Sequence, residues 1–117
     1  MNQVLALDDL SAPLRVLRLL AVDFPDLTAP NVDVSPLYPQ VLRLSLHETS
    51  CDSFAAFESW RWALGIEPGT VDFHIQCNGR TAVLQGRGAY GGAEVELTAY
   101  AASLADGTAG AATGGAQ

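Results

Sequence analysis

The sequence predicts an α+β fold, a two-layer sandwich in which a mainly antiparallel sheet carries two helices on one face, in the order α-β-β-α-β-β-β. Three observations predict it. Asn78-Gly79 and Gly91-Gly92 each sit between strand-like runs and suit two-residue hairpins, whose tight turns need residues at ease with positive φ. Closing the first turn sets Phe73 opposite Leu84, Ile75 opposite Ala82 and Cys77 opposite Arg80. Closing the second sets Leu84 opposite Ala99, Gly86 opposite Leu97, Gly88 opposite Val95 and Arg87 opposite Glu96. Both turns, read independently, put Leu84 on one apolar face, the agreement expected of a sequence with one preferred fold. The resulting meander has one apolar and one polar face, and such a sheet takes helices on its apolar side only.

Each element follows in turn. Ser11 is placed to cap a first helix, with Pro13 tolerated in its first turn and Asp8 and Asp9 near the positive end of the dipole. Leu14, Leu17, Leu20 and Ala21 recur at helical spacing, and Pro25 disfavours helix at Phe24, so the helix should stop at Val22 or Asp23. Val32 and Val34 alternate with polar neighbours as a short strand, confined by the surrounding prolines to an edge or an irregular pairing. From Val41 to His47 a second strand points Leu42, Leu44 and Leu46 one way and Arg43, Ser45 and His47 the other. Thr49 or Ser50 is placed to cap a second helix, with Asp52 assisting, and Phe54, Phe57, Trp60 or Arg61, and Leu64 form its stripe. Gly65 ends it, and Glu67-Pro68-Gly69 turns into the meander of roughly Val71 to Tyr100. Residues 1–100 make one domain. The Ala- and Gly-rich stretch 101–117, with almost no apolar bulk, is expected to be a disordered tail.

At 117 residues the chain is long enough to bury a core without metal or disulfide staples. Thirteen acids face six arginines and no lysine, for a formal net charge of −7, and the arginines are scattered. Such a chain repels phosphate backbones, so nucleic acid is not an expected partner. Met1 to Asp9 lacks the basic residues and apolar stretch of a secretory signal, and no apolar run reaches the length that spans a bilayer. With Cys51 and Cys77 its only cysteines, the chain reads as cytoplasmic, with reduced thiols and no membrane partner.

The stretch 30–100, with VDVSPLYP, FESWRWALGI and GAYGGAEVELTAY, resembles a family of small uncharacterised proteins from actinomycetes and their phages. That resemblance implies an actinobacterial or phage origin and a domain boundary near residue 100, and it brings no activity. More loosely, acidic α+β sandwiches of this size resemble bacterial secretion-chaperone-like folds, from which the strand order here departs.

Few constellations carry chemistry. His47, Cys51, His74 and Cys77 are four residue types that zinc accepts, but their spacing matches no finger. His74 and Cys77, three apart on a strand, also point to opposite faces. Cys51, at a helix N-terminus with a histidine as base, would make a thiol nucleophile, but Glu48 and Asp52 flank it and oppose ionisation. Glu94 and Glu96 share a face and read as solvated, with Arg87 opposing Glu96 across the strand. Gly86, Gly88, Gly91 and Gly92 lack the lysine and following helix of a phosphate loop, and close packing over Gly86 and Gly88 explains the first two. No catalytic residue, metal or cofactor is therefore expected.

Trp60 and Trp62 stand two apart, about 200° around a helix, so only one can face the core. With Trp60 inward, Trp62 is left outside, near Glu58 and Arg61, and tryptophan is enriched at binding hot spots. On the polar sheet face His74, Val83 and Tyr100 form a second, smaller apolar spot. The leading expectation is a non-enzymatic protein-interaction module, a homodimer or an adaptor that binds another protein. The alternatives are a small thiol- or zinc-dependent protein using Cys51 with His47 and His74, and a DNA-mimic inhibitor.

Overall fold

Gly91 (φ 59°) and Gly92 (φ 96°) turn strand β4 (Thr81–Tyr90) straight back into β5 (Ala93–Ala102), in the predicted register of Leu84 with Ala99, Gly86 with Leu97 and Arg87 with Glu96. The computed structural model describes residues 4–47, 52–76 and 79–102. In the other hairpin β3 (Asp72–Gln76) meets β4 with Phe73 opposite Leu84 and Ile75 opposite Ala82, also as predicted. Gly79 there has φ 88°, while Cys77 and Asn78, and with them the expected Cys77–Arg80 pair, lie outside the described residues. The remaining elements are α1 (Ser11–Asp23), β1 (Asn31–Asp33), β2 (Val41–His47) and α2 (Ser53–Leu64). Chain order is therefore the predicted α-β-β-α-β-β-β. The last strand runs two residues beyond the expected boundary at 100, and the stretch 103–117 lies outside the described residues.

The sheet order is β1-β2-β5-β4-β3. All neighbours are antiparallel except β2 and β5, which run parallel from Val41 beside Glu94 to His47 beside Tyr100. The short β1 is an edge, one of the two placements expected from its flanking prolines. Leu42, Leu44 and Leu46 of β2 and Val95, Leu97 and Ala99 of β5 point into one core with Val16, Leu20, Phe57, Trp60 and Leu64 from the helices. Helix α1 lies over β2 and β5, and α2 over β5, β4 and β2.

Helix α2 starts on Asp52, whose carboxylate accepts the Ala55 N–H at 3.2 Å; Thr49 and Ser50 lie outside the described residues. Just inside, Ser53 is buried and donates its hydroxyl to the Tyr100 carbonyl at 2.6 Å, fixing the helix to β5. Gly65 ends the helix in the left-handed region at φ 70°, as expected. The chain then drops Ile66 onto β4, where an added Cβ on Gly88 would stand 2.9 Å from Ile66 Cγ1 and one on Gly86 3.3 Å from Ile66 Cγ2. Both glycines are thus explained by close packing.

Four expectations need correction. Helix α1 buries Pro13, Val16 and Leu20, with Leu17 partly buried, while Leu14 and Ala21 face out. Its N-cap is Leu10, with no side-chain cap, because a 3-10 turn over Leu7–Leu10 runs directly into it and Ser11 instead bonds back to Asp8. Phe73 and Ile75, expected in the core, are 59% and 43% exposed. They occupy the predicted face, but β3 is the sheet's other edge and lies beyond the helices' main footprint. Lastly, Glu96 is not solvated; its side chain is only 14% exposed.

Candidate interaction surface

Trp60 and Trp62 divide as the helical geometry demands. Trp60 is buried, and its indole N–H donates to the Thr28 carbonyl at 2.8 Å, tying α2 to the segment that follows α1. Trp62 is 75% exposed. Beside it, Glu58 and Arg61 are engaged with each other. The guanidinium donates to the Glu58 carboxylate at 2.9–3.1 Å and, through Nη1, to the Ile66 carbonyl at 2.9 Å. The Arg61 hydrogen bonds hold the Glu58 carboxyl below its ordinary range. Arg61 therefore closes the end of α2, and its charge is largely answered within the chain.

Phe24 and Leu27, which follow the break made by Pro25, approach the same side of α2. With Glu58, Ser59, Arg61, Trp62 and Ala63 they line an open hollow of about 480 Å³. Phe24, Leu27 and Ser59 also line a neighbouring hollow of about 340 Å³ with Asp23, Pro25, Asp26 and Thr28. The shared walls make one trough, apolar along its floor and acidic at Asp23, Asp26 and Glu58. Asp23 is held at its rim by the Tyr90 hydroxyl, which donates to the carboxylate; this bond raises the ionisation of the Tyr90 phenol above its ordinary value. Phe24 and Leu27 are the residues that sequence reasoning missed. The available signal was a pair of large apolar residues in a stretch otherwise broken by proline and aspartate.

The second predicted spot changes character. His74, Val83 and Tyr100 do lie side by side across β3, β4 and β5, and His47 of β2 continues the row. The His47 and Tyr100 rings stack, with centroids 4.9 Å apart and planes 14° from parallel. Val83, however, is 2% exposed and offers no contact area, because it sits in an inner strand between larger side chains of the same row. The same row places Tyr100 and Val83 between His47 and His74, at a backbone separation of roughly 14 Å for three strand spacings. Among the described residues no group of three or more His, Cys, Asp or Glu side chains could hold a metal. Cys51 and Cys77, and with them the thiol reading and half of the zinc set, lie outside the described residues.

Farther along this face is an ion-pair ladder. Glu96 has Arg43 Nε at 3.2 Å on one side and Arg87 Nη2 at 3.0 Å on the other, and Arg87 Nη1 also stands 3.5 Å from Glu94. The Arg43 guanidinium lies over the Tyr38 ring, 4.7 Å from its centroid. Opposite charges in adjacent strands hold each other, which explains how Glu96 is tolerated with little exposure.

Among the described residues, no helix is long and apolar enough to cross a membrane. The chain matches no protein-family model and no curated protein.

Proposed function

We propose that the chain is a small acidic, non-enzymatic interaction module that grips a segment of a partner protein in the trough along α2. The observation that carries this reading is Trp62, a large aromatic left 75% exposed on an ordered helix beside an apolar floor of Phe24, Leu27 and Ala63. Exposed tryptophan beside a groove is the usual form of a binding anchor. The rim supplies the chemistry of the partner. Asp23 and Asp26 stand at the floor's edge, Glu58 and Arg61 answer each other, and the chain carries a net charge of −7. The segment that suits such a trough has one or two large apolar side chains flanked by lysine or arginine. The carboxylates of the polar sheet face do not favour a DNA mimic, because Glu94 and Glu96 are interleaved with Arg43 and Arg87.

Selection from a random peptide library tests the proposal. Peptides retained by the native protein should share an apolar residue with basic neighbours, and Trp62→Ala should retain them at least about tenfold less well, as loss of a hot-spot residue does. Retained peptides that bind Trp62→Ala equally well, or that lack basic residues, would overturn it.

A further inference from the structure

The two edges of the sheet are built differently. Edge β1 is three residues long, ends on Asp33 and is bracketed by Pro30 and Pro36, the devices by which an edge strand is kept from pairing with another chain. Edge β3 is longer, and of these devices it has only Asp72 at its start. Its sequence Asp-Phe-His-Ile-Gln contains no proline or lysine, all five residues are exposed, and Phe73 and Ile75 stand on the helix side of the sheet outside the main footprint of the helices. An edge strand that carries Phe73 and Ile75, both strand formers and both left exposed among the described residues, is a pairing surface.

We propose that the occupant is a second copy, and that two chains pair β3 antiparallel about His74, so that one sheet runs through both protomers. The register is self-complementary. His74 falls opposite its own copy, and Phe73 of each protomer falls opposite Ile75 of the other. The two aromatic–β-branched pairs are the cross-strand combination that stabilises sheets, and they extend the apolar face beyond the half-buried Leu84. The charges do not oppose this register, because Asp72 of each copy falls opposite the uncharged Gln76 of the other. No like charges meet across the seam. The chain's own residues 103–117 are a poorer cover, with Leu104 their one large apolar side chain. This surface is separate from the Trp62 trough, so either can fail without the other.

Charge-swap variants test the seam and its register together. The native protein should show concentration-dependent dimers by sedimentation velocity, unchanged in Trp62→Ala. Phe73→Glu and Ile75→Lys should each stay folded by circular dichroism, since both side chains are exposed, and each should be monomeric. Mixed in equal amounts they should recover a heterodimer, because the register sets position 73 of one against position 75 of the other. Hydrogen exchange on the native protein gives a readout that needs no variant, and the backbone amides of β3 should become protected as concentration rises. A native protein that is monomeric at every concentration, a dimer that survives both substitutions, or variants that do not rescue each other would overturn the proposal.

Discussion

Substituting Gly88 tests how α2 is held on the sheet. An added Cβ would stand 2.9 Å from Ile66 Cγ1, 3.6 Å from Ile66 Cδ1 and 3.4 Å from the Leu64 carbonyl oxygen. Ile66 is poorly placed to retreat. It is 3% exposed, its N–H donates to the Arg61 carbonyl at 3.0 Å, and its own carbonyl accepts from Arg61 Nη1 at 2.9 Å. Overpacking a site of this kind costs about 1–3 kcal/mol. The lost chain freedom of glycine offsets about 0.4–1 kcal/mol, since Gly88 has no positive φ. Gly88→Ala should therefore destabilise by about 1–2 kcal/mol, a fall of roughly 4–8 °C in melting temperature per kcal/mol for a domain of this size. Gly69 is the control, with no atom within 4 Å of an added Cβ, and Gly69→Ala should be neutral or slightly stabilising. In denaturant unfolding, Ile66→Ala should cost less in the Gly88→Ala background than alone, because it removes the clash. Equal stability of Gly88→Ala and Gly69→Ala would refute the packing of Ile66 over β4.

Two further outcomes follow from burial and from ionisation. Leu97→Ala, at a fully buried position in the central strand, should cost about 2–5 kcal/mol, whereas Phe73→Ala in the monomer should cost far less; chemical denaturation at low concentration separates them. The Tyr90 phenol should ionise above its ordinary 10.0 in an ultraviolet titration, and Asp23→Asn should bring it back toward that value. Because the folded value is raised, the stabilisation from this bond is fully present below the unfolded value and fades as pH rises through the folded one.

The parts of the fold legible in the sequence are those set by local chemistry. Gly91 and Gly92 dictate which residues of β4 and β5 face each other, and alternation in β2 assigns Leu42, Leu44 and Leu46 to one side. Gly65 stops α2 because only a residue at ease with positive φ suits that position. The rest depends on partners distant in sequence. Nothing near Val41 announces that β2 runs parallel beside β5, and without that neighbour Arg43 cannot be matched to Glu96. Periodicity gave the correct face for Phe73 and Ile75, but a face is buried only where something covers it. Helix α1 is leucine-rich almost all round, so its rotation is fixed by packing and not by pattern. The candidate site divides in the same way. Trp62 was legible from its two-residue offset from Trp60, while Phe24 and Leu27 reach the trough only through the turn after α1.

Mapping a bound peptide residue by residue tests the interaction reading most directly. A selected apolar–basic peptide is titrated into isotopically labelled protein, and the amide and indole resonances are followed by two-dimensional NMR. The trough predicts shifts concentrated at Phe24, Leu27, Ser59, Ala63 and the Trp62 indole, with the buried Trp60 indole and the Arg43–Glu96–Arg87 ladder little changed. Shifts confined to β3 or to the polar sheet face, with the Trp62 indole unmoved, would contradict it.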